Sequence, residues 1–62
     1  GGMKIGDIVS TPDGLGEIKQ VPQKHYPPLL ILAYTVFLKD PALRYPVKKY
    51  YRNELKLVYS PK

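Results

Sequence analysis

Seven prolines, at positions 12, 22, 27, 28, 41, 46 and 61, punctuate a chain of 62 residues. Proline lacks a backbone donor and clashes with the preceding helical turn. Spacing this dense argues against long helices. No window carries a sustained three-to-four-residue apolar period either. Valine, isoleucine and six tyrosines favour strands. The economical reading is an all-β chain of five short strands joined by tight turns.

The first strand is expected over Ile5 to Thr11, with Val9 inward and Ile5 and Ile8 completing the local apolar set. Asp13-Gly14 then predicts a hairpin, because glycine accepts positive φ. Gly16 predicts a bulge or a close backbone approach. The second strand covers Glu17 to Val21. Ile18 and Val21 are three apart, so both turn inward only if a bulge falls near Lys19-Gln20. Pro22 to Pro28 reads as a loop, with a stiff, extended Pro27-Pro28. The third strand runs from Leu30 to Lys39. Alternation puts Leu30, Leu32, Tyr34, Val36 and Leu38 on one face, and Ile31, Ala33, Thr35 and Phe37 on the other.

Asp40-Pro41-Ala42-Leu43 is a type I turn by composition, with proline where φ near −65° is wanted. The fourth strand spans Tyr45 to Tyr51 and begins at a sheet edge, since Pro46 cannot donate to a ladder. Arg52 to Leu55 reads as one turn of tight helix that Asn53 caps or starts. The fifth strand is Lys56 to Tyr59. Val9, Ile18, Val36, Leu38, Leu55 and Val58 form the expected core.

This is one domain, expected over residues 4–59. Gly1-Gly2 before Met3 resembles a cloning scar, and residues 60–62 a frayed tail. A chain this short buries only about 60% of its unfolded surface. Small scaffolds often add disulfides or metals, but there is no cysteine and one histidine, His25. Zinc needs three or four protein ligands, so neither a metal nor a cofactor is expected. The longest apolar run, Leu29 to Tyr34, is far short of the roughly 20 residues of a membrane span. No secretory signal pattern is present. A reducing, cytoplasmic setting without a membrane partner is the expectation.

Ten Lys and Arg stand against five Asp and Glu, a net charge of +5. Such a balance attracts nucleic acid, acidic proteins or anionic membrane, and it also keeps an apolar-rich chain soluble. The strongest binding signal is Arg44 to Arg52, where Lys48, Lys49 and Arg52 interleave with Tyr45, Tyr50 and Tyr51. Cations neutralise phosphates and tyrosine faces stack on bases. The same residues also suit an edge strand, with lysine blocking aggregation. Lys19 and Lys24 extend the basic surface, or serve as ordinary solvated residues. Ile31, Ala33 and Phe37 form an outward apolar set. It is either a protein interface, including a homo-oligomeric one, or a face that the middle loop covers.

Gly6-Asp7-x-Val9, Gly14-x-Gly16-x-Ile18, Val36-x-Leu38-x-Asp40 and Leu55-x-x-Val58 together resemble the small SH3-like barrels of the Tudor-like and KOW-like kind. The likeness extends to the C-terminal Tudor-like modules of some bacterial DNA helicases and covers roughly Lys4 to Val58. It implies a five-stranded antiparallel barrel with a short 3-10 turn before the last strand. It also implies docking on nucleic acid, polymerases, ribosomal partners or modified peptides, and not catalysis. For a methyl-lysine cage, Tyr26, Tyr34, Tyr45, Tyr50 and Tyr51 supply the available rings. The residues themselves offer catalysis little. Every carboxylate sits in a turn, strand or cap setting, and His25 has no serine or aspartate motif beside it.

Overall fold

The computed structural model describes residues 2–26 and 29–61, with the backbone alone for 24–26 and 29–31. The chain is all-β. Five strands make one antiparallel sheet: β1 (Ile8–Thr11), β2 (Gly14–Gln20), β5 (Tyr34–Leu38), β6 (Val47–Tyr50) and β7 (Lys56–Tyr59). Their order is β6-β5-β2-β1-β7. A 3-10 turn, Arg52–Glu54, precedes β7. Between β2 and β5, β3 (Gln23–Tyr26) and β4 (Leu29–Ile31) pair as a separate two-stranded sheet.

That second sheet corrects two expectations. The segment 22–28 contains a strand, although Pro27-Pro28 lies outside the described residues. The single strand expected over Leu30–Lys39 is two strands, broken at Leu32-Ala33. The first half of that run pairs with Gln23–Tyr26 and the second half with β2. Leu32 falls in the break and is exposed, whereas Tyr34, Val36 and Leu38 alternate inward.

The β1–β2 hairpin turns through Pro12 and Asp13, and Thr11 and Gly14 pair across it. The Asp13 N–H donates to Thr11 Oγ1 at 2.9 Å, and Thr11 Oγ1 donates to the Gly14 carbonyl at 2.8 Å. Gly14 has φ 117°, a conformation that L side chains rarely adopt. Gly16 pairs with Val9 and Leu38 on the two flanking strands. A Cβ there would meet Val36 Cγ1 and lie 2.9 Å from the Phe37 carbonyl oxygen. The bulge lies where the Ile18–Val21 spacing requires it. Ile18 faces Val36, but Gln20 faces Thr35, so one residue of β2 is unmatched. Val21 thereby packs against the core beside Ile18.

Val9, Ile18, Tyr34, Val36, Leu38 and Tyr50 are the buried apolar set, with Met3, Val21, Leu43 and Leu55 packed against it. Each buried aliphatic side chain stabilises by about 1.5–3 kcal/mol. Val58 is not among them. The β1–β7 register shifts between Ile8 and Val9, which leaves Val58 unpaired and 56% exposed. Ile5 is exposed too, because β1 begins only at Ile8. The segment before it turns back, with Asp7 N–H on the Lys4 carbonyl and Gly6 N–H on the Ile18 carbonyl.

The remaining turns follow local chemistry. Leu43 N–H donates to the Asp40 carbonyl at 3.1 Å, and Ala42 N–H to Asp40 Oδ1 at 2.9 Å. β6 begins after Pro46, whose carbonyl accepts from Leu38 N–H. It is an edge strand, as the proline requires. Asn53 lies inside the 3-10 turn and does not cap it. The Glu54 carboxylate reaches back instead and accepts from Tyr51 N–H at 2.8 Å.

Candidate functional site

Strand alternation sorts the predicted binding residues onto different surfaces. On β6, Tyr50 faces Tyr34 and Lys48 faces Val36, both on the core side, while Lys49 faces Thr35 and Val47 faces Phe37 on the outer side. Tyr50 is 5% exposed. Its hydroxyl donates to Asp13 Oδ2 at 2.7 Å, so its ring cannot stack on a base. Lys48 Nζ also lies 3.5 Å from Asp13 Oδ2. These two predicted binding residues hold β6 to the β1–β2 turn. The hydrogen bond from the Tyr50 hydroxyl first, and the charge of Lys48 after it, hold the Asp13 carboxyl below the usual range against the opposing effect of burial. Burial raises the Tyr50 phenol, and the Asp13 charge adds to the rise while Thr11 opposes it.

Lys49 and Lys19 both lie on the outer face, on β6 and β2. Lys19 Nζ donates to Glu17 Oε2 at 3.1 Å. Glu17, Lys19, Phe37 and Lys39 line a shallow depression of about 430 Å³. Arg52 lines a different one with Met3 and Leu55. The Lys24 and Ile31 side chains fall outside the described residues. The proposed interface of Ile31, Ala33 and Phe37 is not one strand face, because the break at Leu32-Ala33 puts Ile31 in the smaller sheet. Of the candidate cage rings, Tyr34 and Tyr50 are core residues, and Tyr45 and Tyr51 are exposed.

The register builds a row that no single segment reveals. Val47 pairs with Phe37, Phe37 with Glu17, Glu17 with Ile8, and Ile8 with Tyr59. These residues cross the outer face of all five strands. Phe37 and Tyr59, 43% and 61% exposed, stand three strand spacings apart, roughly 14 Å. Lys39, beside Leu15 through its N–H, and Lys49 flank the row on either side. Among the described residues, no carboxylate lies within ion-pair distance of Lys39, Lys49, Arg52 or Lys56. Lys39, Val47 and Tyr59 were not legible as site residues, because their partnership depends on which strands are neighbours.

At the sheet's far end, Asp7 is 1% exposed yet fully bonded. Lys4 N–H donates to its Oδ2 at 2.9 Å and Ser60 Oγ to its Oδ1 at 2.7 Å. Lys4 Nζ donates to Ser60 Oγ at 2.6 Å. The Ser60 hydroxyl, and next the Lys4 amide, hold this carboxyl below its ordinary value. Ser60, which the sequence places in the tail, therefore ties the chain's two ends together. Among the described residues no three His, Cys, Asp or Glu side chains gather as a metal site, and no helix is long and apolar enough to cross a membrane. No protein-family model, no curated protein and no solved structure matches this chain.

Proposed function

We propose that this chain is a non-catalytic binding module whose outer sheet face takes single-stranded nucleic acid. The observation that carries the reading is the cross-strand row with two exposed rings, Phe37 and Tyr59, bordered by Lys39 and Lys49. Unpaired bases offer flat faces to such rings, and each stacked base contributes about 1–3 kcal/mol. The lysines neutralise phosphates and release counterions. Glu17, the carboxylate in the row, is already paired with Lys19. The site thus keeps Lys49 from the sequence-based set, adds Lys39, and replaces Tyr50 by Phe37 and Tyr59 as the stacking surface.

The same reading takes the fold as an SH3-like barrel of the Tudor-like kind. Two features support it: the strand order β6-β5-β2-β1-β7, and the 3-10 turn immediately before the last strand. The Tyr50–Asp13 bond adds to this, since it links β6 to the β1–β2 turn across β5 and so requires a curled sheet.

Titration of a labelled oligothymidine, followed by anisotropy across a salt series, tests the function. Binding should weaken linearly on a log–log plot as salt rises, and Phe37→Ala should weaken it further. Absent binding at low salt, or an affinity indifferent to salt, overturns the reading. Equal affinity for a duplex of the same length would remove base stacking from it.

A further inference from the structure

β7 ends the sheet, and its character differs from that of the opposite edge. β6 carries two lysines, Lys48 and Lys49, the kind of charge that guards an edge against unwanted pairing, whereas β7 carries one, Lys56, at its start. β7 presents Leu57 and Val58 half-exposed. Leu57 pairs with Val9, and among the described residues no strand other than β1 pairs with β7. β7 bonds to β1 along one side, and among the described residues no backbone hydrogen bond reaches its other side. Strand backbone groups left this way are a template for another chain.

Beside this edge lies a second depression, of about 470 Å³, that shares no lining residue with the Phe37 depression. Met3, Leu55 and Leu57 give it apolar walls, and Arg52, Asn53 and Lys56 give it polar ones. The lysines at 4, 19 and 48 each have a carboxylate within ion-pair distance. Arg52 and Lys56 have none among the described residues. The groove therefore pairs apolar walls with two uncompensated cations, next to open strand backbone.

We propose that the β7 edge docks an extended acidic-apolar segment of a partner protein, added as a sixth strand of the sheet. Main-chain bonds to Lys56–Tyr59 supply the attachment, and alternate side chains supply selectivity. Apolar side chains seat against Leu57, Leu55 and Met3, and carboxylates face Arg52 and Lys56. A second copy of this chain is the poorer occupant. It carries a net charge of +5, and each of its edge strands brings lysine to the contact. The proposal stands independently of nucleic-acid binding on the outer face.

The probe is a short synthetic peptide alternating valine and glutamate, titrated into the isotope-labelled protein by NMR. Its analogue with lysine in place of glutamate is titrated in parallel. The acidic peptide should shift the Lys56–Tyr59 amides and slow their hydrogen exchange. Arg52→Glu, an exposed position whose spectrum reports its own folding, should weaken that binding about tenfold. The lysine analogue should bind more weakly still. Equal binding of both peptides, or shifts confined to Phe37 and its neighbours, overturns the proposal. So does concentration-dependent protection of β7 without peptide, which would assign the edge to a second copy.

Discussion

The Tyr50 hydroxyl donates to Asp13 Oδ2 at 2.7 Å, joining the last residue of β6 to the turn between β1 and β2. β5 stands between β6 and β2 in the sheet, so this bond holds a bend. The bonded phenol keeps its proton to higher pH than an unfolded tyrosine, because burial and the Asp13 charge disfavour phenolate. Its contribution is complete below about pH 10, the unfolded value, and is lost as pH rises toward the raised folded one. Tyr50→Phe should lower the melting temperature at neutral pH and flatten the alkaline limb of the stability curve. Asp13→Asn and the double variant complete a cycle. Non-additive melting shifts are expected, and additive ones would show that the two side chains do not act as a pair.

Asp7 works at the opposite pH extreme. Its carboxyl is lowered by Ser60 and by the Lys4 amide, so its contribution is present above the ordinary aspartate value of about 3.9. That contribution disappears as pH falls from there through the lowered folded value. Ser60→Ala removes the largest cause and lets the folded value climb back. Acid unfolding, followed by circular dichroism, should then begin at higher pH than in wild type. Unchanged acid midpoints would mean that Ser60 does not hold the carboxylate in solution.

These two networks mark the limit of what sequence shows. Spacing alone locates the Asp13-Gly14 hairpin, the bulge after Ile18, the Asp40–Leu43 turn and the inward alternation of Tyr34, Val36 and Leu38. Those features depend on neighbours within a few residues. Asp7–Ser60 spans 53 positions and Tyr50–Asp13 spans 37. Nothing local signals either. The run Leu29–Tyr34 is apolar on both faces, so periodicity could not say that its first half pairs with Gln23–Tyr26. Val58 fails as a core residue for a similar reason. It falls at the register shift between β1 and β7, unpaired on a strand exposed along its length, and that shift is a property of two strands. Tyr50 is the instructive case at the site. Composition makes it a stacking residue between cations, and alternation against Val36 and Tyr34 makes it core.

Gly16 sits between Val9 and Leu38 with no space for a side chain. Val36 Cγ1 and the Phe37 carbonyl crowd the position of a Cβ, and the carbonyl belongs to the paired backbone of β5. Gly16→Ala should destabilise by about 1–3 kcal/mol, the usual cost of overpacking. In a domain this small, such a loss is a large part of the total. Chemical denaturation should show a lower midpoint with an unchanged slope. Val36→Ala in the same background should recover little, because the carbonyl contact remains. Full recovery would place the whole clash on the Val36 methyl.

The outer face separates stacking from charge by residue. Phe37→Ala and Tyr59→Ala each remove one ring, and each should weaken oligothymidine binding by about 1–3 kcal/mol while leaving the salt slope unchanged. Lys39→Gln and Lys49→Gln each remove one phosphate contact. They should weaken binding to all sequences alike and reduce the slope of log K against log salt by about 1 apiece. Tyr50→Phe should leave affinity at its wild-type value, since the ring lies inside the sheet and its hydroxyl is engaged by Asp13. Anisotropy at several salt concentrations reads all five variants. If Tyr50→Phe binds less tightly while Phe37→Ala binds normally, the binding surface lies on β6 and its flanking loops and not across the outer face.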